Sequence, residues 1–246
     1  MIAATPMRRR LLAEGVGTGL LVTVVVGSGI AATNRTPGDA GLQLFFNSTA
    51  TVLGLAVLIT MVGPVSGAHF NPVVSLVDWW LGRAAGVGLT GRTAGAYAVV
   101  QTVGAIAGAV LANLMFDVPA GFATTDRSDW RLWLGEIVAT AGLVALILAL
   151  ARTGRSAWAG PAVGAYIGAA YWFTSSTSFA NPAVTVGRMF SDSFAGIAPG
   201  SVAGFVAAQL VGGVIGLVVA RALYPDVAAA ADDVVVPHGG REALDD

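Results

Sequence analysis

The chain has no cysteine and no lysine, and it has only two histidines, His69 and His238. Without thiols there are no disulfides, thiolate metal sites or cysteine nucleophiles. Two distant imidazoles give little from which to build a zinc site or a proton relay, so no metal and no cofactor is expected. Charge is scarce too: 11% of the 246 residues are charged, against about 25% in an ordinary soluble domain. A net charge of −1 gives no electrostatic footing for nucleic acid. No grouping of side chains pairs a nucleophile with a base, so an enzyme is not expected.

What remains is mostly apolar. The chain is 55% hydrophobic, with 33 glycines and 10 prolines. Apolar runs of about 18 residues or more read as membrane spans. Six are visible, near 11–33, 43–64, 91–115, 131–152, 159–178 and 200–223. Arg8, Arg9 and Arg10 precede the first run, which is longer than the roughly 7–15 apolar residues of a secretory signal. Residues 1–10 are therefore read as a cytoplasmic amino terminus ahead of an uncleaved span. With six spans both termini lie on one side, and a multi-pass protein of the plasma (inner) membrane with cytoplasmic termini is expected. Arg83, Arg92, Arg152, Arg155 and Arg221 then fall inside, and Arg35, Arg127, Arg131 and Arg188 outside, a modest positive-inside bias. Trp79, Trp80, Trp130, Trp133 and Trp158 fall near the interfaces, as an aromatic belt requires. The tail, 224–246, is acidic: Asp226, Asp232, Asp233, Glu242, Asp245 and Asp246 stand against Arg241. It reads as a disordered cytoplasmic end.

Two further apolar segments, 71–81 and 181–190, are half a crossing long. An unsatisfied backbone end in lipid costs several kcal/mol, so such segments must be buried in protein or face a watery cavity. They are expected to be re-entrant half-helices. Each opens on Asn-Pro: Asn71-Pro72-Val73 and Asn181-Pro182-Ala183. Asn is a strong helix N-cap and Pro suits the first turn, so one such pair would be only a helix start. The pair recurs within a larger repeat. Glu14 and Thr18 are matched by Glu136 and Thr140, and Gln101, Gly104 and Gly108 by Gln209, Gly212 and Gly216. The order is the same in both halves. Three spans per half invert the second copy: a first repeat over 11–115, an extracellular connecting loop over 116–130, and a second repeat over 131–223. Two half-helix starts meeting at the midplane would aim two positive dipole ends at one point, disfavouring cations. The Asn amides would still offer N–H groups to a neutral solute.

The doubled Asn-Pro boxes with the Glu-x3-Thr and Gln-x2-Gly repeats resemble the aquaporin or major intrinsic protein family over about residues 11–223. The fold implied is all-α, with six transmembrane helices and two re-entrant half-helices in an inverted repeat. The resemblance implies a homotetramer with one pore per subunit, whose partners are small neutral solutes, water and membrane lipid. Val73 departs from the family's usual Ala. Glu14 and Glu136 are intramembrane acids and so candidate functional groups; the resemblance favours instead acceptors for the re-entrant backbone. His69 has two readings, loop bonding or pore lining. Gln101 and Gln209 read as helix-packing hydrogen-bonders.

Family members that pass water or glycerol usually carry Arg directly after the second box. Here that position is Val184. Family spacing places the other filter positions at Thr51, Ala169 and Ser178, a small, uncharged and therefore wide set. Arg188, one turn beyond Val184, either reaches back to the filter or snorkels to the outer surface. Trp172 and Phe173 are candidates for narrowing the outer mouth. The motif wording is similar to the bacterial branch associated with arsenic resistance, which implies trivalent arsenicals as solutes, with glycerol and water. A water-selective or glycerol-selective pore with no arsenic role is the alternative. An ion-coupled carrier is disfavoured by the inward positive dipoles, and a non-conducting scaffold by the open filter.

Overall fold

The computed structural model describes residues 5–83, 85–119 and 121–237. His238, Arg241, Glu242, Asp245 and Asp246 lie outside the described residues. The described chain is helical throughout: α1 (Met7–Arg35), α2 (Ala40–Ser66), α3 (Pro72–Gly82), α4 (Gly91–Met115), α5 (Trp130–Arg152), α6 (Ala159–Phe173), α7 (Pro182–Arg188) and α8 (Pro199–Leu223). Among the described residues, five helices are long and apolar enough to cross a bilayer: α1, α2, α4, α5 and α8. The sixth is shorter than expected. The stretch 159–178 resolves into α6, of 15 residues, preceded by a 3-10 turn over Ser156–Trp158. Helix and turn together rise about 28 Å, enough for a hydrocarbon core of about 30 Å. Residues 174–181 then fold back inward without helix.

The fold is inside-out by the standards of a soluble protein. Glu14, Gln101, Glu136 and Gln209 are fully buried, while Leu12, Leu53, Val57 and Leu114 are more than 60% exposed. In lipid this arrangement is favourable, because apolar side chains gain little from leaving a hydrocarbon solvent. Contact between helices must come from close packing. The repeated glycines supply it. A methyl group on Gly104 would lie 2.1 Å from the Gly15 carbonyl oxygen, and one on Gly108 2.0 Å from that of Gly19. In the second half, Gly212 and Gly216 approach the carbonyls of Ile137 and Ala141 in the same way. So α1 packs backbone to backbone on α4, and α5 on α8.

The half-helices are α3 and α7, each started by its Asn. Asn71 caps α3 by accepting from the Val73 N–H, and Asn181 caps α7 by accepting from those of Ala183 and Val184. They are Pro72–Gly82 and Pro182–Arg188, so α7 ends two residues short of the expected 190. The entering loops have matching backbones. Gly67, Ala68 and Phe70 in the first, and Thr177, Ser178 and Ala180 in the second, all have positive φ. Both half-helices start at the centre and run to opposite faces.

The expectation of a disordered tail fails for its described part. Val227–Asp233 form a 3-10 turn. Val227, Ala231, Val234 and Val235 are buried against the bundle. The charge count missed this because the four apolar residues, not the acids, decide whether the segment finds a packing surface. The amino-terminal boundary also moves: α1 begins at Met7, within the stretch expected to precede the membrane.

Candidate functional site

Each intramembrane glutamate holds a re-entrant loop. Glu14 accepts from the backbone N–H groups of His69 at 3.0 Å and Phe70 at 2.7 Å, from Ser66 Oγ at 2.7 Å and from Gln101 Nε2 at 2.8 Å. Glu136 accepts from the N–H groups of Phe179 at 2.8 Å and Ala180 at 2.7 Å, and from Gln209 Nε2 at 2.6 Å. A non-helical loop at membrane depth has no water to satisfy its backbone; here the carboxylates do so. Gln101 and Gln209 extend the network to the half-helices, donating to Ser75 Oγ and Thr185 Oγ1. All four side chains face loop and helix, and none lines the cavity described next.

The two boxes are joined through their asparagines. Asn71 Nδ2 donates to the Ala180 carbonyl at 2.7 Å, and Asn181 Nδ2 donates to the Phe70 carbonyl at 2.6 Å. An amide nitrogen carries two N–H donors, so each has one left for a molecule in the cavity beside it. Both asparagines line that cavity, which runs along the junction between α1, α2, α5, α6 and the two loops. Pro72, Val73, Pro182 and Ala183 do not line it. They serve helix start and packing, Val73 lying where a methyl on Gly213 would be.

One half of the cavity wall is apolar, with Leu55, Ile59, Leu143, Ile147 and Val163. Toward the end where α7 terminates it becomes polar, with Thr51, Tyr171, Ser178 and Arg188 beside Val184. Thr51 Oγ1 and Tyr171 Oη lie 3.2 Å apart. His69 also lines the cavity; its Nδ1 is 3.1 Å from Ser75 Oγ and its Nε2 is 3.4 Å from the Asp78 carboxylate. It thus does both things the sequence held as alternatives.

Three sequence expectations need correction. Ala169 does not face the cavity but is exposed on the outer side of α6. Val163, Ile167 and Tyr171 line the cavity at four-residue steps, and a residue two positions from Tyr171 points about 200° away. The polar lining residue on α6 is therefore Tyr171, and the set is not uniformly small. Trp172 and Phe173 are 53% and 56% exposed and face outward; Trp172 Nε1 donates to Ser48 Oγ on the neighbouring helix. Lastly, the polar stretch of the wall is not free of arginine. Arg188 is only 2% exposed. Its guanidinium carbon lies 3.3 Å from the centroid of the Phe179 ring, and its Nε donates to the Ala195 carbonyl.

Arg127, from the loop before α5, is a residue that sequence reasoning left at the surface. Its guanidinium carbon lies 5.1 Å from the same Phe179 ring, and its Nε donates to the Gly196 carbonyl at 3.0 Å. Burial pushes this guanidinium below the usual arginine range. Position in a connecting loop gave no sign of it. The signal for Arg188 was present in the repeat itself. Asp78 and Arg188 each stand seven residues after their Asn, and His69 and Phe179 each two before. In both half-helices the charged side chain reaches back to the aromatic one: Asp78 to His69, Arg188 to Phe179.

The family model for the major intrinsic protein matches residues 1–178. The chain is 52% identical over 218 residues to the aquaglyceroporin AqpS of Rhizobium meliloti (strain 1021), covering 87% of this chain and 90% of that one. It is 31% identical over 237 residues to aquaporin Z of Rhodopseudomonas palustris, covering 88% and 94%. The X-ray structure of the aquaglyceroporin from Plasmodium falciparum superposes with a TM-score of 0.65 at 17% identity, covering 92% of this chain and all of that one. At that identity the superposition speaks to the fold alone.

Proposed function

The chain belongs to the major intrinsic protein family, whose members are passive channels, and from that premise we propose that its pore passes small uncharged polyol-like solutes. Glycerol, arsenous acid and water are the proposed permeants. The observation that carries this reading is the two-sided wall of the cavity. Hydroxyls of Thr51, Tyr171 and Ser178 and the Arg188 guanidinium stand in one stretch with Leu21, Val25 and Val184. A polyol presents hydroxyls on one side and carbon on the other, and suits such a wall. Arsenous acid is an uncharged triol near neutral pH and offers the same three hydroxyls. At the centre, the spare N–H of each Asn amide replaces a hydrogen bond that the solute leaves behind in water. Arg188 and Arg127 add a positive field that opposes cations.

The proposed orientation puts both termini in the cytoplasm, with Arg188 and Arg127 toward the outside of a plasma (inner) membrane. A homotetramer is proposed from the family resemblance. A second reading has one observation in its favour: Tyr171 and Arg188 occupy space that the sequence assigned to small side chains, which suits a water-selective pore. Stopped-flow light scattering on proteoliposomes separates the two. Entry of glycerol and arsenous acid well above the protein-free rate supports the polyol reading. Fast water with no larger solute supports the narrow one and removes the arsenical.

A further inference from the structure

Beyond α8 the chain turns back beneath the bundle, on the face that holds the start of α1 and the ends of α2, α3 and α5. Val234 and Val235 are 1% and 3% exposed. Val235 is part of the lining of the same cavity that contains both asparagines. Its backbone has φ 59°, a conformation that is an outlier for a β-branched residue and persists only where the surroundings impose it.

Glycines border the seat of this segment. A methyl on Gly82 would lie 2.9 Å from the Ala231 methyl, and one on Gly88 3.1 Å from it. A methyl on Gly63 would lie 2.6 Å from a Val236 methyl. Gly63 thus leaves room where the tail packs; Gly82 and Gly88 border it too, but the nearest neighbours of a methyl there are the Val87 carbonyl oxygen at 2.2 Å and Asp78 Oδ1 at 2.3 Å. The segment is also tied by hydrogen bonds. The Gly88 N–H donates to Asp232 Oδ1 at 2.6 Å, and Ser156 Oγ donates to the Asp233 carbonyl at 3.2 Å. Outermost, Arg152 and Asp226 make an exposed ion pair at 3.7 Å, the weakest of the ties.

We propose that residues 227–236 are a seated plug that narrows one mouth of the pore through Val235, and that release of this segment raises flux. The proposal rests on the channel reading above. Val235 shares the lining of this cavity with Ile59, Ile147 and Val163, whose side chains supply no hydrogen-bond donor or acceptor. A solute entering there must shed water with nothing in return, and hydrophobic constrictions close pores by this means. The mouth at the other end, with Thr51, Tyr171 and Arg188, has no such penalty. Control of flux would therefore lie at the tail's face, proposed to be cytoplasmic. The ties are within reach of that compartment.

The test compares the full chain with Val235→Ala and Asp232→Ala in proteoliposomes, with water and glycerol as probes and flux normalised to reconstituted protein. Flux scales with the fraction of open channels, so a plug that is mostly seated predicts a rise of about threefold or more for both solutes. A second variant, Val235→Cys, exploits a chain that has no cysteine of its own. A water-soluble methanethiosulfonate reagent should reach it when the segment is released, and the bulkier side chain should then fail to reseat, so flux rises and returns on reduction. Unchanged flux in Val235→Ala and in modified Val235→Cys, with the full chain conducting, overturns the plug and leaves the pore reading standing. Absence of water and glycerol flux in every form overturns the pore reading and the plug with it.

Discussion

At the scale of single residues, Arg188 and Val184 set the character of the polar stretch of the wall. Position by position, the residue after the second box is uncharged, and the sequence alone suggested that the constriction had lost its cation. A helix brings the next turn within reach, and long side chains lean toward the amino terminus. Arg188 therefore returns the charge to the lining from one turn away. Arg188→Ala removes a guanidinium that a passing solute must fit beside. Relief of about 1 kcal/mol at the barrier corresponds to about a fivefold faster passage, and glycerol, the larger solute, should gain more than water. Val184→Arg works the other way, placing a second cation in the same stretch and cutting glycerol more than water. Stopped-flow ratios check both, and a glycerol-to-water ratio unmoved by either change would place the barrier elsewhere. Ala169 shows the limit of counting residues from a motif. A miscount of two reverses the facing of a helical side chain, and only the four-residue run Val163, Ile167, Tyr171 shows which face is inward.

At the scale of elements, the sequence disclosed the half-helices because their physics is local. Asn-Pro starts a helix wherever it stands, and a short apolar run cannot cross a bilayer. The glutamates were legible as anchors only through resemblance, since nothing local says where a carboxylate's donors lie along the chain. Their role makes a sharp expectation. Glu136→Ala leaves the Phe179 and Ala180 N–H groups without their acceptor. At about 1–3 kcal/mol for each buried orphan, the re-entrant loop loses about 2–6 kcal/mol. Glu136→Gln keeps one carbonyl acceptor and should lose markedly less. Thermal unfolding in detergent, read as the ordering of the two variants, tests this; equal losses would mean that the charge and not the acceptor geometry holds the loop. The glycine stripes were equally readable, and Gly108 is the clearest case. With 2.0 Å between its would-be methyl and the Gly19 carbonyl oxygen, Gly108→Leu must separate α1 from α4. A collapse in the yield of monodisperse protein is the expected outcome, whereas Gly95→Ala, which meets nothing within 4 Å, should be tolerated. The tail went unread for the opposite reason: its order depends on partners as distant along the chain as Gly63 and Gly88.

At the scale of the whole molecule, the inverted repeat matches its backbone more faithfully than its charge. The same backbone turn, the same cap and the same glutamate anchor occur in each half, yet the seventh residue after Asn is Asp78 in one and Arg188 in the other. The first pairs with a histidine and the second stacks on a phenylalanine. The pore is therefore asymmetric along its length: a mostly apolar half that holds His69 and ends at Val235, and a hydroxylated, cationic half ending at Arg188. This asymmetry cannot by itself drive transport. For an uncharged solute at equal concentration on both sides, forward and reverse flux through any fixed barrier profile must balance, however lopsided the profile. A carrier escapes this only by coupling to a second gradient, which needs a site for the coupling ion. Here the carboxylates that would offer one are committed to backbone and amide donors: Glu14 and Glu136 to the loops, and Asp78 to the Leu89 N–H beside His69. Solute flux should accordingly be indifferent to imposed proton or sodium gradients and to membrane potential, and should stop when the solute concentrations equalise. Glycerol uptake into proteoliposomes, followed with each gradient imposed and then collapsed by ionophore, measures this directly. Accumulation of solute above the outside concentration under either gradient would identify an ion-coupled carrier and overturn the passive reading.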